Sequence, residues 1–377
     1  MGKLYLNMMK KLCSIGRRMF TGCAIIVSIF TAAAAAWAQG ADVFDLNHPK
    51  VREVMAVQKD VTADLMKQPE IIGTAVGLTG AGEPALVIYI NRDAKGASEA
   101  KQSLPPKLRG VPVQVELTDR FVANAGKPGS GGTTVSHTAK QTVPIQLGTS
   151  GGWRNDLANG YCCGGTLGSL VNIGGEQYIL SNYHVLEADI VSGGNGIVAA
   201  TGDNVIQPGL IDISCNAANS QNVATLVKKS ALPNNNVDCA VAKVVSGMVR
   251  ADGAILEIGT LSASTAVASL QQKVKKSGRT TGLTRSSISG LNATISVSYE
   301  NECAGSTVFT KTFTGQIVIS NKGSSFLSGG DSGSLMVEDV ANKPRAVGLL
   351  FAGSSTSAIA NPINEVLAFL GGTMVGN

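Results

Sequence analysis

Charged residues are scarce in this chain of 377 residues, at 15% of the composition, whereas glycine fills 45 positions. Helix-favouring residues do not dominate, and no internal repeat or low-complexity block interrupts the sequence from residue 143 onward. This balance is typical of an exported, β-rich protein and argues against a helical cytosolic one. The length allows two or three domains, with ample material for a hydrophobic core.

The chain also lacks an excess of positive charge once its first 38 residues are set aside. That segment has a basic start, a long apolar run and a small-x-small site at Ala36-Trp37-Ala38, which predicts a cleaved signal peptide and a secreted or periplasmic protein. An uncleaved membrane anchor is the alternative. The segment holds five of the 31 basic residues and none of the 26 acidic ones, so 26 of each remain. The mature chain therefore gives no support for nucleic-acid binding or for stable membrane association.

Cysteine spacing typical of a metal site is missing as well. Five cysteines follow the signal segment, namely Cys162, Cys163, Cys215, Cys239 and Cys303. In a compartment that permits disulfides, an odd number means that at least one is free or pairs between chains, and the pairing cannot be deduced. Neither a histidine nor a second cysteine pair lies at ligand spacing from the adjacent Cys162 and Cys163. We expect no metal and no cofactor.

The segment 39–123 has the pattern of a small α/β domain without obvious chemistry. Apolar residues at helical spacing predict a helix over 49–68, and a second, short helix is expected near 97–102. Strands are predicted at 71–76, 85–90 and 111–117. This domain is an accessory domain or a pro-domain: an inhibitory or folding pro-segment and a permanent substrate-recruiting domain both fit the sequence.

A linker rich in Gly, Ser, Thr and Lys at 124–142 then predicts flexibility and proteolytic nicking. From residue 143 to 377 the pattern changes to short strands separated by Gly, Asn and Ser turns, which predicts an antiparallel barrel or sandwich. Strands are expected at 166–171, 177–181, 211–214, 223–227, 239–244, 287–299, 315–320, 334–337 and 346–351. A helix is expected at 362–370.

The stretch 328–337 reads Ser-Gly-Gly-Asp-Ser-Gly-Ser-Leu-Met-Val and places Ser332 on a tight turn ahead of a buried strand. Glycine on both sides permits positive φ and leaves approach to the serine open. A serine presented in this way, with neighbouring amide groups pointing in the same direction, suits the nucleophile of an acyl transfer. A plain Gly/Ser-rich hairpin turn is the alternative.

Histidine is rare, with three residues in the chain, and of these His184 has an ordered, apolar setting at the end of a predicted strand. His48 is expected on the surface and His137 in the solvated linker. Asp238 opens another apolar strand, where a buried carboxylate needs a partner that a histidine N–H would supply. A structural histidine and a turn-capping aspartate are the alternatives.

The order His184, Asp238, Ser332, together with the Gly-Asp-Ser-Gly loop, resembles the trypsin/chymotrypsin-type serine peptidase superfamily. The segment 163–167 resembles the strand before that family's histidine, and the segment 278–282 is similar to its bacterial, streptogrisin-like branch. The resemblance covers about 143–377. It implies a mainly β fold, a chymotrypsin-like double β-barrel, preceded here by the small α/β N-terminal domain.

The resemblance also implies roles for the site residues. His184 is the general base, Asp238 orients it, Ser332 attacks the peptide carbonyl, and the N–H groups of Gly330 and Ser332 form the oxyanion hole. The leading interpretation is an exported serine endopeptidase that acts on peptide or protein substrates through an acyl-enzyme. A catalytically silent, protease-like binding module is the main alternative, and an esterase uses the same triad. The order of the triad is opposite to that of α/β-hydrolases.

Some positions depart from the family's pattern. At the substrate-pairing edge, Phe351-Ala352-Gly353 stands where the family has Ser-Trp-Gly, so Gly353 is kept but the serine that supports the triad aspartate is missing. Phe326, six residues before Ser332, replaces the acid that selects Lys or Arg, and favours a small or apolar residue at the cleaved bond. Finally, we expect an Arg279–Asp331 ion pair that orders the oxyanion loop without any cleavage of the chain.

Overall fold

The computed structural model describes residues 43–123, 135–158, 161–187, 199–227, 229, 231–300, 308–322 and 325–377. The predicted signal peptide at 1–38, Cys303 and part of the predicted linker lie outside these residues. Residues 44–377 form one compact unit that is mainly β, with two large sheets. No helix in the described part of the chain is long and apolar enough to cross a membrane.

The first large sheet is antiparallel and has eight strands in the order β21-β10-β11-β14-β13-β12-β6-β9. Its strands are β6 (Thr149–Trp153), β9 (Gly165–Leu167), β10 (Ser169–Ile173), β11 (Glu176–Ser181), β12 (Asn204–Gln207), β13 (Gln221–Val227), β14 (Ala240–Val244) and β21 (Thr373–Met374). Because β9 and β10 are separated in the chain by Gly168 alone, the two ends of the sheet return towards each other. The sheet therefore curls into the first barrel.

The second barrel is a closed ring of six antiparallel strands, in the order β15-β18-β19-β20-β17-β16, with β16 also paired to β15. Its strands are β15 (Lys273–Gly278), β16 (Gly282–Glu300), β17 (Val308–Ser320), β18 (Leu335–Glu338), β19 (Ala346–Gly353) and β20 (Ser357–Pro362). Buried Ile288, Ile317 and Leu350 belong to its hydrophobic core. The expected double-barrel fold is thus present.

The N-terminal strands extend the second barrel's sheet outward, because β1 pairs with β16 and is followed by β2, β4 and β3. These elements are helix α1 (Pro49–Leu65), β1 (Ile71–Leu78), β2 (Pro84–Asn91), helix α2 (Ala97–Ser103), β3 (Lys107–Leu108) and β4 (Val111–Thr118). Val51 and Val54 of α1 pack on the sheet in a core of their own. The helices and strands predicted between residues 49 and 117 are confirmed, while the division into domains at 39–123 and 143–377 stays a prediction.

One short strand, β5 (Phe121–Ala123), leaves this sheet and joins two strands of the second barrel. It runs parallel to β16, with Phe121 opposite Val297. It also lies antiparallel to β19, with Val122 opposite Gly353. The end of the N-terminal segment is thereby bound to the barrel that carries Ser332.

The remaining elements are short. They are β7 (Leu157–Ala158), β8 (Tyr161–Cys162), helix α3 (Tyr183–Leu186), helix α4 (Ile363–Leu370) and two 3-10 turns, Leu210–Asp212 and Ala217–Asn219. The strand predicted at 211–214 is wrong: a 3-10 turn stands there, since Ser214 and Cys215 have positive φ and cannot continue a strand. A disulfide joins Cys162 to Cys215, and Cys239 is free and buried.

His137 is not the solvated loop residue that its linker position predicts. Its side chain is buried, with Nδ1 2.9 Å from the Gly148 carbonyl oxygen and Nε2 2.7 Å from a carboxylate oxygen of Glu257. The linker's composition did not predict this contact because Glu257 lies 120 residues further along the chain. The end of the linker is therefore fixed to the body of the protein.

Candidate active site

Strand pairing brings His184 and Asp238 together. Strand β11 ends at Ser181, directly before the single-turn helix α3 that carries His184, and β14 begins at Ala240, two residues after Asp238. Ser181 lies opposite Ala240 in the antiparallel pair, so the two flanking segments leave the sheet at the same point. His184 Nδ1 is 2.6 Å from Asp238 Oδ2, which is a hydrogen bond of the charge-assisted kind.

The carboxylate of Asp238 is fully buried and its oxygens are satisfied by several donors. Oδ1 accepts the backbone N–H groups of Tyr183 at 2.8 Å and His184 at 3.4 Å. Oδ2 accepts the hydroxyl of Tyr299 at 2.9 Å in addition to the imidazole. The Asp238 N–H donates to Asn361 Oδ1 at 2.9 Å. This arrangement fixes the carboxylate in one orientation.

His184 has its second ring nitrogen unengaged, because Nε2 has no hydrogen-bond partner among the described residues. With Nδ1 directed at a carboxylate, the proton of a neutral imidazole lies on Nδ1 and the lone pair lies on Nε2. Nε2 can therefore accept a proton from a neighbouring hydroxyl group.

Ser332 lies on the loop before β18, and contacts with the first barrel hold this loop in place. Thr166 donates from Oγ1 to the Gly330 carbonyl oxygen and from its N–H to the Ser332 carbonyl oxygen, both at 2.9 Å. Gly333 has φ of 91°, and a Cβ there would lie 2.2 Å from the Thr166 carbonyl oxygen. Only glycine fits this position.

The helix carrying His184 and the Ser332 loop meet across Gly165. A Cβ at Gly165 would lie 2.6 Å from Val185, the neighbour of His184, and 3.0 Å from the Ser332 carbonyl oxygen. The Ser332 hydroxyl donates to the Phe351 carbonyl oxygen at 3.4 Å, and no hydrogen bond joins it to His184 in the described structure.

The two predicted oxyanion donors have no hydrogen-bond acceptor in the described structure. Among the described residues, the backbone N–H groups of Gly330 and Ser332 donate no hydrogen bond. The N–H of Asp331, between them, donates to the Ser328 carbonyl oxygen at 3.0 Å. Two unengaged amides on one tight turn can bind the oxygen of a tetrahedral intermediate.

A cavity of about 200 Å³ adjoins Ser332 and is lined by the second barrel and by the N-terminal segment near β5. Leu327, Gly329 and Gly353 line it from the second barrel, and Arg120 and Val122 line it from the N-terminal segment. Since Val122 pairs with Gly353, the expected substrate-pairing edge is occupied by the protein's own β5. Ser332 is accordingly only 3% exposed.

Phe326 does not line this cavity. Its side chain is fully buried in the core of the second barrel, in the same cluster as Leu350 and Ala358. Contact of Phe326 with substrate stays a prediction. The cavity wall begins at the next residue, with Leu327, Ser328 and Gly329.

The predicted Arg279–Asp331 pair is wrong. Arg279 is buried and forms a two-pronged ion pair with Asp212, with Nε at 2.8 Å and Nη2 at 2.5 Å from its two carboxylate oxygens. The 3-10 turn Leu210–Asp212 brings this carboxylate to Arg279, and Ser150 Oγ donates to it as well at 2.5 Å. The arginine therefore links the two barrels instead of the oxyanion loop.

Asp331 is buried as predicted, but other groups stabilise it. Its oxygens accept the N–H groups of Thr280, Thr281 and Ser328 at 2.9 to 3.1 Å and the Thr281 hydroxyl at 2.7 Å. The buried Lys276 ammonium lies 3.5 Å from Oδ2. Burial lowers the pKa of Lys276, and the charge of Asp331 opposes that shift. The loop is thus ordered in the uncut chain.

Sequence reasoning missed Tyr299, Lys276 and Thr166. Each lies on a strand far along the chain from the residues it contacts, and the sequence shows only an aromatic, a basic and a polar residue in β patterns. A lysine inside a barrel strand was the available signal, since such a charge needs a buried partner. In the described part of the chain, no group of three or more His, Cys, Asp and Glu side chains is placed to hold a metal ion.

Residues 216–361 match the family model of the Nal1 C-terminal domain. No curated protein matches the chain. Among solved structures, the chain is similar to a glutamic acid-specific serine protease that utilizes a histidine triad in substrate binding, at 17% identity over 61% of this chain and 100% of the other, with a TM-score of 0.40. It is similar to Thermobifida fusca protease A at 18% identity over 62% and 99%, with a TM-score of 0.40. For a Nocardiopsis protease the identity is 17% over 60% and 97%, with a TM-score of 0.38.

Proposed function

We propose that this chain is an exported serine endopeptidase that hydrolyses peptide bonds in peptide or protein substrates. The contact of 2.6 Å between His184 Nδ1 and Asp238 Oδ2, which leaves Nε2 unengaged, is the observation that carries the proposal. Export to the periplasm or the medium rests on the segment 1–38. No cofactor is required by this chemistry.

The proposed reaction proceeds through an acyl-enzyme. Ser332 Oγ attacks the peptide carbonyl while its proton moves to His184 Nε2, and Asp238 stabilises the imidazolium that forms. The N–H groups of Gly330 and Ser332 bind the developing oxyanion, which is worth about 2.7–4 kcal/mol per donor in measured cases. His184 then gives the proton to the leaving amine, and water releases the acyl group by the reverse sequence. The cavity walls formed by Leu327, Gly329 and Gly353 support a small or apolar residue at the cleaved bond.

The N-terminal segment is proposed to be an inhibitory pro-segment. An extended peptide adds to a free sheet edge through its backbone hydrogen bonds, and β5 already occupies the edge at Gly353. A substrate can pair there only after β5 has left. Proteolysis within the linker at 124–142 would allow this without breaking a barrel strand.

The same occupied edge favours a second function, that of a catalytically silent binding module. Labelling by a fluorophosphonate probe separates the two. The purified chain and its Ser332→Ala variant are compared before and after limited proteolysis of the linker, with intact mass recording the cut.

A peptidase labels at Ser332 and hydrolyses a denatured protein mixture after the cut, while the Ser332→Ala variant does neither. Absence of labelling in the cut chain, once β5 is shown to have dissociated, would support the silent module. Hydrolysis of ester but not peptide substrates would instead indicate an esterase.

A further inference from the structure

Tyr299 lies on β16, and its phenol is directed at the acid–base pair. The side chain is buried, and its hydroxyl donates to Asp238 Oδ2 at 2.9 Å. The same oxygen accepts His184 Nδ1 at 2.6 Å. Oδ1 accepts two backbone N–H groups, so hydrogen-bond donors hold both oxygens of the carboxylate that faces His184.

The ring of Tyr299 also contacts the imidazole. The ring centroids of His184 and Tyr299 are 5.8 Å apart at an interplanar angle of 72°, an edge-to-face contact. Tyr299 also packs against Phe309 and Phe313, at 6.2 and 6.4 Å between centroids. These aromatic contacts help to hold the phenol in place.

Phe351 stands where a supporting serine is expected, and its side chain packs on Phe313 at 4.9 Å and offers no hydroxyl group. The one side-chain hydroxyl that donates to Asp238 comes instead from β16, within the described residues.

We infer that Tyr299 is a positioning residue for the proposed hydrolysis, holding Asp238 Oδ2 against His184 Nδ1 through its hydroxyl group. This inference rests on the proposed function. When His184 takes the proton of Ser332, the imidazolium faces a buried carboxylate that the Tyr299 hydroxyl keeps from rotating away. Without the hydroxyl, Oδ2 accepts a hydrogen bond from His184 Nδ1 alone, and the position of this oxygen relative to the imidazole is held less firmly.

The test replaces the hydroxyl alone, with Tyr299→Phe, in the linker-cut protein. We expect kcat to fall about 10- to 100-fold with KM unchanged, as for loss of one hydrogen bond to a charged group. The matched control is Tyr178→Phe on β11, whose hydroxyl lies 3.5 Å from Glu176 at the surface and which should keep wild-type kcat and KM.

A proton NMR measurement on the uncut chain separates positioning from folding and does not depend on turnover. The proton shared by His184 Nδ1 and Asp238 Oδ2 resonates far downfield, and Tyr299→Phe should shift this resonance while Tyr178→Phe leaves it in place. Incorporation of 3-fluorotyrosine at position 299, a stronger donor of the same shape, should shift it in the opposite direction, even if Tyr299→Phe fails to fold.

An unchanged resonance in both substituted proteins, or an unchanged kcat in folded Tyr299→Phe, overturns the inference. A moved resonance in a protein that hydrolyses nothing supports the positioning of Asp238 and overturns only the proposed peptidase. The two failures are therefore distinguishable.

Discussion

Val122 of β5 lies opposite Gly353 of β19 in an antiparallel bridge beside the candidate nucleophile. The residues just before β5 are attached to the same rim. Thr118 Oγ1 donates to Ser354 Oγ at 2.7 Å, and Asp119 accepts the Ser355 N–H at 3.0 Å and its hydroxyl at 2.5 Å. The N-terminal segment is thus bound at the place where a substrate is expected to bind.

Asp119 is the residue through which this attachment can be weakened. Asp119→Asn removes the charge that faces Arg92 at 2.9 Å and weakens the bonds from Ser355, a loss of about 1–2 kcal/mol at a partly exposed site. The uncut chain should then react with a fluorophosphonate about 5- to 30-fold faster. Asp64→Asn, which breaks an exposed ion pair between Asp64 on α1 and Lys67 just after this helix, is the matched control and should not change the rate. Equal rates for both variants would contradict an inhibitory β5.

The attachment through Asp119 should weaken at low pH. Partial burial raises the pKa of Asp119, but the hydrogen bonds from Ser355 and the charge of Arg92 outweigh burial and hold this pKa below its ordinary value. A lowered pKa in the bound state means that binding is favoured above the ordinary pKa of about 3.9 and weakens as pH falls through the lowered value.

Hydrogen exchange at the amides of β5 measures this effect. Below about pH 4, protection in the wild-type protein should fall towards that of Asp119→Asn, whose own protection should show no titration in that range. Wild-type protection that stays above the variant's down to pH 2 would show that Asp119 does not control the attachment.

Local patterns, their order and the family resemblance selected Ser332, His184 and Asp238 as candidates: a serine among glycines, a histidine ending an apolar strand and an aspartate opening one. The structure brings His184 and Asp238 together, and the roles of the three residues stay predictions. The partners of Arg279 and His137 were beyond reach, since Asp212 and Glu257 come close only through folding. Alternation of apolar residues along β16 predicts which side chains turn inward, but not which residue each of them contacts.

Substitution of Gly333 tests the close contact between the nucleophile loop and the first barrel. Gly333→Ala places a Cβ 2.2 Å from the Thr166 carbonyl oxygen in a residue with φ of 91°, so the nucleophile loop must move away from the first barrel. The variant should lose at least about 3 kcal/mol of unfolding free energy and all labelling at Ser332.

Gly315→Ala is the matched control, since Gly315 has φ of 70° but nothing within 4 Å of its Cβ position. The strain there should cost only about 1–2 kcal/mol and leave labelling intact. Urea denaturation of both variants gives the comparison. Similar losses in the two would mean that the close contact between Gly333 and Thr166 is not a feature of the folded protein.

Lys276 tests how the oxyanion loop is ordered. Its ammonium is fully buried and lies 3.5 Å from Asp331, whose other partners are neutral donors. Lys276→Met keeps the volume but leaves the carboxylate without a countercharge, which typically costs about 3–5 kcal/mol. We expect a lower melting temperature and slower labelling of Ser332 in the linker-cut protein, because the loop carrying Gly330 loses its anchor. Lys273→Met, at an exposed position on the same strand, should change neither. A second substitution, Asp331→Asn in the Lys276→Met background, removes the unpaired carboxylate and should restore stability. If labelling of Ser332 is not restored with it, the neutral donors to residue 331 do not hold the loop in the conformation that reacts.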